Sequence, residues 1–563
     1  MPNHQELLDI LLKNRGITEE NKEKFLNPKY EDLYDPFLLK DMEKAVVRIF
    51  EGIEAKEKIV IYSDYDCDGI PAAVIMSDFF IKIGYENFSV YIPDRHDEGY
   101  GLHMDAIDLF IKDEIKLLIT FDLGITAIEE TTKAELNGIN VIIVDHHLPR
   151  DEGVPPAYAV IDPKQNDCSY PDDMLCGGGL SFKLVQAIIL KYGEYFKIEK
   201  GWEKWLLDMV GVATLADQVP LLNENRILAY YGLKVLQKTR RPGLLEIFNK
   251  ARVDISKLNE EDITFTLAPR LNAASRMASP MSAYEVLSTR DIAKAKTLAD
   301  YLLKINDERK YLVASIMKDV KKNLDKRKLN EEEKSIIVIG NPKWRVGILG
   351  IIASKLVDEH KKPSFVWGMD GSDVICGSCR SYGSVNLVEV MNALPKNSLL
   401  QFGGHAGAGG FSVAKDEIHF LEERLSTIFK NKKISELVKG EEEEDEKQVL
   451  IDADISIDDI NNENYKVIGQ MAPYGVGNPK PVFILKNEEI YSIKEFGKEK
   501  NHLEISFKNS KNKIVKAIAF FKTAKDLGGV YQAGDKISLL VNFENNTFLG
   551  KTELRLRIVD VVQ

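Results

Sequence analysis

Short apolar runs recur through the first third of the chain, each followed by a helix-length stretch. Lys58 to Tyr62, Phe88 to Ile92, Lys116 to Phe121 and Val141 to Val144 are rich in β-branched and aromatic residues, as buried strands are. Strands alternating with helices predict a mostly parallel sheet covered on both faces. Further on, Leu298, Leu302, Ile305, Leu312, Ile316 and Val320 keep a helical spacing and form one apolar stripe. A helix from Asp291 to Lys322 would run about 48 Å at 1.5 Å per residue. A second α/β pattern opens at Ser335-Ile-Ile-Val-Ile339, where Gly347 and Gly350 suggest a closely packed helix. Past Leu450 the pattern becomes short alternating strands: Val482–Leu485, Leu503–Phe507, Val515–Phe520, Lys536–Val541 and Leu554–Val559. Five strands in that length suit a small Greek-key barrel of the OB type.

The expected fold is therefore α/β: two α/β domains joined by a long helix around a cleft, plus a C-terminal OB-type β-barrel. The expected boundaries are an N-terminal helical segment at 1–50, a first α/β domain at 51–285, a connector helix at 286–330, a second α/β domain at 331–440 and the barrel at 450–563. The acidic block Glu441–Glu446 reads as a solvated linker between the last two.

Composition changes the picture in three ways. The chain has 563 residues, 44% of them apolar, enough for several cores. Its net charge of -13 excludes nucleic-acid binding through overall charge, so any such binding needs a local basic cleft. Five cysteines without framework spacing suggest a reducing compartment. With no signal-peptide pattern and no apolar run long enough for a membrane, a cytoplasmic protein is expected.

The chemistry gathers where strands end. Asp64, Asp66 and Asp68 follow the first strand, Asp122 the third, and Asp145-His146-His147 the fourth. In open α/β sheets the carboxyl edge of the strands is where ligands bind. Acids this crowded repel unless a cation neutralises them, and hard oxygen donors suit Mg²⁺ or Mn²⁺. The plain alternative is a solvated acidic turn. Asp217, closing the apolar stretch Leu206 to Ala216, is a further candidate ligand or simply a helix end.

Other stretches are less specific. Gly177-Gly-Gly179, ahead of an apolar helix expected near Phe182, could cradle phosphate or serve close packing. Arg270, Asn272 and Arg276 could hold phosphate oxygens, or sit on a surface loop. Cys376-x-x-Cys379 has half the ligands of a structural zinc site. Phe402 to Gly410 sets His405 among glycines, including Gly403 and Gly404, and would let a ligand approach the backbone closely. In the barrel, Tyr474, Phe483, Phe496, Lys498, Phe520, Phe521, Lys522 and Arg555 could stack bases and meet phosphates, or fill a barrel core.

Taken together, Asp66-x-Asp68-Gly69, Asp122, Asp145-His146-His147 and Asp217 stand in the motif order of the DHH phosphoesterase superfamily, and Gly403-Gly404-His405-Ala406 resembles the signature of its associated domain. Arg95…Glu98-Gly-Tyr-Gly-Leu102, Pro269 to Ala274…Arg276, Gly377-Ser378-x-Arg380 and Pro473-Tyr474-Gly-x-Gly-Asn478-Pro479 carry the resemblance to the RecJ family of single-strand-specific 5′→3′ exonucleases. It implies two Mn²⁺ or Mg²⁺ ions, with Asp66 on the first, Asp68, His146 and Asp217 on the second, and Asp122 bridging. It further implies that Asp145 orients an imidazole, that His147, His405 and Arg276 act on the phosphate, and that Arg95, Ser378 and Arg380 hold the 5′ terminus. Single-stranded DNA would be the substrate, a helicase and a single-strand-binding protein are partner classes, and a monomer is expected. Two positions depart from the family pattern. Tyr62 stands where many members place a histidine, which leaves Asp64 or water to complete the first site, and Leu123 stands where Asn is usual. The competing readings are a DHH phosphodiesterase for very short RNA or cyclic dinucleotides, and an inactive scaffold on the same fold.

Overall fold

The structure, a computed structural model, describes residues 4–95, 98–150, 153–328, 335–369, 374–430, 450–497, 500–548 and 551–562. It divides into two units. One comprises Pro36–Asp217 and Val235–Glu446; the other comprises Met1–Asp35, Gln218–Lys234 and Lys447–Gln563.

The first unit contains both α/β sheets. The strands are β1 Ile59–Ser63, β2 Phe88–Tyr91, β3 Leu117–Phe121, β4 Asn140–Val144 and β5 Ala159–Ile161. Their order is β2-β1-β3-β4-β5, and every pairing is parallel. All residues of β1 and β3 are buried, as a sheet covered on both faces requires. β5 is an edge strand of three residues, too short to show a period in the sequence. The second sheet holds β6 Ile337–Asn341, β7 Ser364–Gly368, β8 Ile375–Arg380, β9 Gln401–His405 and β10 Ala408–Val413, in the order β6-β7-β8-β10-β9. Only β6 and β7 pair in parallel; the rest is antiparallel. The glycine-rich stretch is thus the β9–β10 hairpin.

The long helix is Ile292–Lys328, 37 residues or about 55 Å. Its buried face runs through Ala295, Ala299, Leu302, Ile305, Val313, Ile316 and Val320. Val313, Ile316 and Val320 share one core with Ile337, Ile339, Ile348 and Leu356 of the second sheet and its helix.

Some local expectations differ. Gly177 to Gly179 are not a turn before a helix but its first turn, in Gly177–Tyr192. Arg270, Asn272 and Arg276 lie on the helix Ala268–Met277, which follows a π-helical turn at Asp262–Leu267, and not on a loop. Pro269 sits in the first helical turn, where its missing N–H costs nothing.

The second unit is built on a seven-stranded sheet, β11 Ile451–Ile455, β12 Val482–Glu489, β13 Ser492–Phe496, β14 His502–Lys508, β15 Ile514–Ala519, β16 Lys536–Phe548 and β17 Lys551–Val562, in the order β11-β12-β16-β17-β15-β14-β13. The two strands beyond the expected five are the sheet's edges; β13 is exposed or half-buried throughout, while β11 buries Asp452 and Ile455. Leu7, Leu8, Leu11, Leu12 and Phe25 of the two N-terminal helices His4–Asn14 and Glu19–Leu26 lie in the same core as Phe483, Leu503 and Val541. Arg226 is buried there, donating to the carbonyls of Phe25, Met471, Ala472 and Pro473. Asn478 donates to Met471 and Pro473, so the Pro473–Pro479 motif is occupied with internal hydrogen bonds. Among the described residues no helix is long and apolar enough to cross a membrane. The 441–446 linker and Lys498 lie outside the described residues.

Candidate metal centre and its cationic surround

Each acidic residue of the site is placed by the end of a parallel strand. β1 stops at Ser63, and the chain passes Asp64, Asp66 and Asp68 before the helix Gly69–Lys82. Asp66 accepts from the amides of Asp68 and Gly69 at 2.8 and 3.2 Å, which closes the turn. A Cβ on Gly69 would lie 2.6 Å from the Asp64 carbonyl, so this position has to be glycine. Asp68 reaches across to the helix Gly177–Tyr192 and accepts from Gly177 and Gly178 N–H at 2.6 and 2.7 Å. The helix N-terminus that might have cradled phosphate therefore holds a carboxylate, and its dipole favours that charge. A Cβ on Gly177 would stand 2.7 Å from Asp122 Cβ, and one on Gly178 2.4 Å from Ala213 Cβ.

Asp122 follows β3 with φ 62°, a left-handed conformation that Asp and Asn tolerate better than most residues. Leu123 beside it is fully buried in an apolar cluster, so it offers the site nothing polar from its side chain. After β4, Asp145 is tied down by Ile125, His146 and His147 amides at 2.9, 2.8 and 3.2 Å, and it binds His147 Nδ1 at 2.7 Å. His146 Nε2 lies 3.0 Å from Asp122 and 3.7 Å from Asp68.

Three overlapping groups result, with their donor atoms within 4.8 Å: Asp64, Asp66 and Asp122; Asp122, His146 and His147; and Asp68, His146 and Asp217. Asp122 and His146 each belong to two of them. This donor set fits divalent metal ions. Burial, and then the neighbouring carboxylates, hold Asp64, Asp68 and Asp122 well above the usual carboxylate range. Asp217 is pushed up to about 6 for the same reasons. Asp64 Oδ1 is buried without a hydrogen-bond partner. Such an oxygen wants a cation or a proton. Tyr62 turns away: its hydroxyl donates to the Gly101 carbonyl at 3.0 Å and its ring stacks on Tyr91. The donor on that side is Asp64.

The two histidines differ. Burial, and then the charge of His147, lower His146 to about 3, which leaves it neutral and able to ligate. Burial alone would lower His147, but the hydrogen bond and charge of Asp145 raise it to about 9. Its ring also lies near Tyr100, whose hydroxyl is 3.4 Å from Nδ1.

Arginines surround this acidic centre. Burial lowers Arg276 to about 9, and the fields of Arg95, Arg309 and Arg380 add to that effect. Its Nη1 donates to the Gly347 carbonyl at 3.2 Å. The Arg95 guanidinium lies over the Tyr65 ring. On β8, Ser378 and Arg380 border the helix Leu349–His360: a Cβ on Gly350 would meet Arg380 Nη2 at 2.9 Å and Ser378 Oγ at 3.7 Å. A guanidinium, a hydroxyl and a helix N-terminus thus share one spot, as in anion sites. Cys376 and Cys379 sit three apart on the same strand, so their side chains leave opposite faces and cannot share a metal. His405 lies in the β9–β10 hairpin, and burial, and then the charges of Arg380 and His147, lower its pKa. Gly404 has φ 142° and no room for a side chain, since a Cβ would be 2.3 Å from the Ala408 carbonyl; Gly403 faces open space. Arg309 was not singled out by motif. Its one sequence signal is a cation near the middle of the long helix.

In the barrel, Phe483 is fully buried and belongs to the core. Tyr474 packs against that core and donates to the Ile468 carbonyl. Phe521 is 78% exposed and clusters with His502, Phe496 and Phe520, while Arg555 and Arg557 lie over the Phe520 ring.

Comparison with known proteins gives consistent results. Family models match at residues 58–214 (DHH family, N-terminal domain), 333–431 (DHHA1 domain) and 451–560 (RecJ OB domain). The chain is 34% identical to the single-stranded-DNA-specific exonuclease RecJ of Bacillus subtilis, over 98% of this chain and 67% of that protein. It is 30% identical to the protein of the same name from Haemophilus influenzae, over 99% of this chain and 96% of that one. A crystal structure of RecJ with Mn²⁺ from Thermus thermophilus matches with a TM-score of 0.79 and 23% identity, covering 99% of this chain and 76% of that one. A crystal structure of exonuclease RecJ bound to manganese matches with a TM-score of 0.60 and 27% identity, covering 69% and 94%.

Proposed function

The chain belongs to the RecJ family of DHH phosphoesterases, and we propose that it digests single-stranded DNA from the 5′ end by metal-dependent hydrolysis. The observation that carries this reading is the convergence of three donor groups on Asp122 and His146 at the carboxyl edge of the sheet. Asp64, Asp66 and Asp122 would hold one Mn²⁺ or Mg²⁺, and Asp68, His146 and Asp217 a second, with Asp122 between them. Two such ions, when bound, supply an activated water and neutralise charge on the phosphoryl group.

The protein's own groups do the rest. The Gly177 and Gly178 amides fix the Asp68 carboxylate, and Asp145 fixes His147 in one orientation. His147, cationic at neutral pH in the metal-free protein, stands to meet the scissile phosphate or the leaving oxygen. Arg276 adds positive charge from around it, and His405, its pKa lowered and its ring therefore neutral, would offer the phosphate a hydrogen-bond donor. Arg95, Ser378 and Arg380 would bind a terminal 5′ phosphate, which carries more charge than an internal diester. Arg270, Asn272, Gly403 and Gly404 line the strand's path, and the Phe521 cluster of the barrel stacks bases. A helicase that frees single strands and a protein that coats them are the partner classes for this activity in DNA repair and recombination, and we place it in the cytoplasm as a monomer.

The inactive-scaffold reading requires lost carboxylates, and here all are present and grouped. The test is digestion of a single strand against the same strand annealed to its complement, with and without Mn²⁺, alongside a count of bound ions. Mn²⁺-dependent loss of the single strand with two ions per chain is the expected result. No cleavage, or equal cleavage of the duplex, would refute the reading.

A further inference from the structure

Arg309 projects from the middle of the long helix into a place that needs an anion. Its Nη2 donates to the buried Asn306 at 2.9 Å, and its Nε is buried without a partner. On the helix Ala268–Met277, Arg270 Nη1 donates to the Thr266 carbonyl, and its Nε is likewise buried without a partner. Asn272 Oδ1 is a third such atom, and a half-turn of that amide would offer its N–H donors to the same space. Among the described residues neither arginine has an ion-pair partner. Asp307, whose field reaches Arg270, is itself 3.2 Å from Lys310.

Guanidinium groups partly withdrawn from water, with unfilled donors, lose hydration without gaining a counter-charge. They also repel: Arg270 lowers the pKa of Arg309, and Arg309 that of Arg276. The helix Ala268–Met277 packs against the long helix, and along the shorter of the two Arg270 stands about 9 Å from Arg276, the one of the three that feels Asp66. An ion pair within the protein would have been the ordinary remedy, as Arg241 finds with Asp78 and Asp208 at 2.6 and 2.7 Å. At Arg309 the missing charge has to come from outside.

We propose that Arg309, with Arg270 and Asn272, forms a second phosphate subsite that holds an internal phosphodiester of the strand away from the bond being cut. This rests on the single-strand nuclease reading above. A guanidinium fork matches two phosphate oxygens, and both arginines are only partly buried, so an anion from solvent can reach them. Binding energy gathered at a distance from the reacting bond would select long strands over dinucleotides.

The experiment compares wild type with Arg309→Gln and Arg309→Lys. Binding of an end-labelled strand of about 20 nucleotides is read by fluorescence anisotropy across a salt series, and cleavage of that strand and of a 5′-phosphorylated dinucleotide is timed with Mn²⁺. For Arg309→Gln the expected result is about tenfold weaker binding of the long strand, the loss of one charged hydrogen-bonding group. The slope of log affinity against log salt should shrink by about 0.7, one phosphate contact fewer on a single strand. KM for the long strand should rise with kcat nearly constant, while KM for the dinucleotide moves far less. Arg309→Lys should restore the salt slope but only part of the affinity, because an ammonium lacks the fork. An unchanged slope, or equal losses on dinucleotide and long strand, would overturn the subsite. Failure of the wild type to cleave any single strand would instead refute the nuclease reading, and the binding arm would still decide the subsite.

Discussion

At the scale of single residues, the site is a store of unfavourable charge. Asp64, Asp68, Asp122 and Asp217 all titrate above the ordinary carboxylate range because they are buried together. A group whose folded pKa is raised binds more protons in the folded state than in the unfolded one. The stability it contributes is full at low pH and is lost as pH climbs from about 4, the unfolded value, through the folded one, about 6 for Asp217, with the other three also raised well above the unfolded value. The metal-free protein should therefore melt lower at pH 7 than at pH 5, and Mn²⁺ should abolish most of that difference. Melting curves with chelator and with Mn²⁺ at the two pH values check this; a metal-free protein insensitive to pH in this window would contradict it. Asp122→Asn is the cleanest single substitution, since Asn keeps the left-handed backbone at this position. It should cut cleavage at least a thousandfold while raising the metal-free melting temperature at pH 8. Retention of a tenth of the activity at saturating Mn²⁺ would remove Asp122 from the metal site.

At the scale of elements, glycines decide where chain segments approach. Gly177→Ala would push a methyl into Asp122 and break the amide grip on Asp68, so metal affinity should fall at least tenfold; titration with Mn²⁺ measures it. The barrel makes a different contrast. Phe521→Ala should weaken binding of a long single strand by ~1–3 kcal/mol, the worth of one stacked base, and leave the melting temperature alone, because the ring is mostly exposed. Phe483→Ala should do the opposite, costing ~3–5 kcal/mol of stability as a buried cavity forms. Equal effects of the two on binding would deny the exposed cluster its role. Removing residues 450–563 is a poor substitute, since Leu7, Leu11 and Phe25 would lose the core they share with the barrel.

These elements also show what could be read from the sequence. β1, β3 and β4 and their acidic ends were legible because each strand is buried on both faces and so is almost wholly apolar, whereas β2, a partly exposed edge strand, was legible from its aromatic and β-branched residues. β5, β11 and β13 were not, being edge strands of three to five residues whose few apolar positions are too short a run to stand out. The Asp and His groupings followed from strand ends on one rim, whereas the use of Gly177 and Gly178 by Asp68 depends on two helices 109 or more residues apart, and no local pattern shows that. Phe483 and Phe521 look alike in sequence; Phe483 enters the core from β12, while Phe521 lies past the end of β15 on a left-handed backbone and stands exposed. Arg309 has a charge but no motif, and its meaning lies in Arg270 on another helix.

At the scale of the whole molecule, the direction of digestion needs a physical cause. Two similar ions cannot distinguish a 5′ from a 3′ end, so the protein must hold the terminus. In the proposed reading, Ser378, Arg380 and the start of the helix Leu349–His360, which lie together, would hold the terminal phosphate. The surrounding arginines give an acidic chain, net -13, the local positive surface that binding nucleic acid requires. The most direct test is a time course on a single strand bearing a 5′-terminal ³²P phosphate, with Mn²⁺, for wild type and Arg380→Ala. The wild type should release the label first, as a mononucleotide, a 5′-hydroxyl strand should be cut more slowly, and Arg380→Ala should narrow this gap without losing bound Mn²⁺. Label persisting on long fragments while the 3′ end disappears, or a phosphate advantage undiminished in Arg380→Ala, would contradict this.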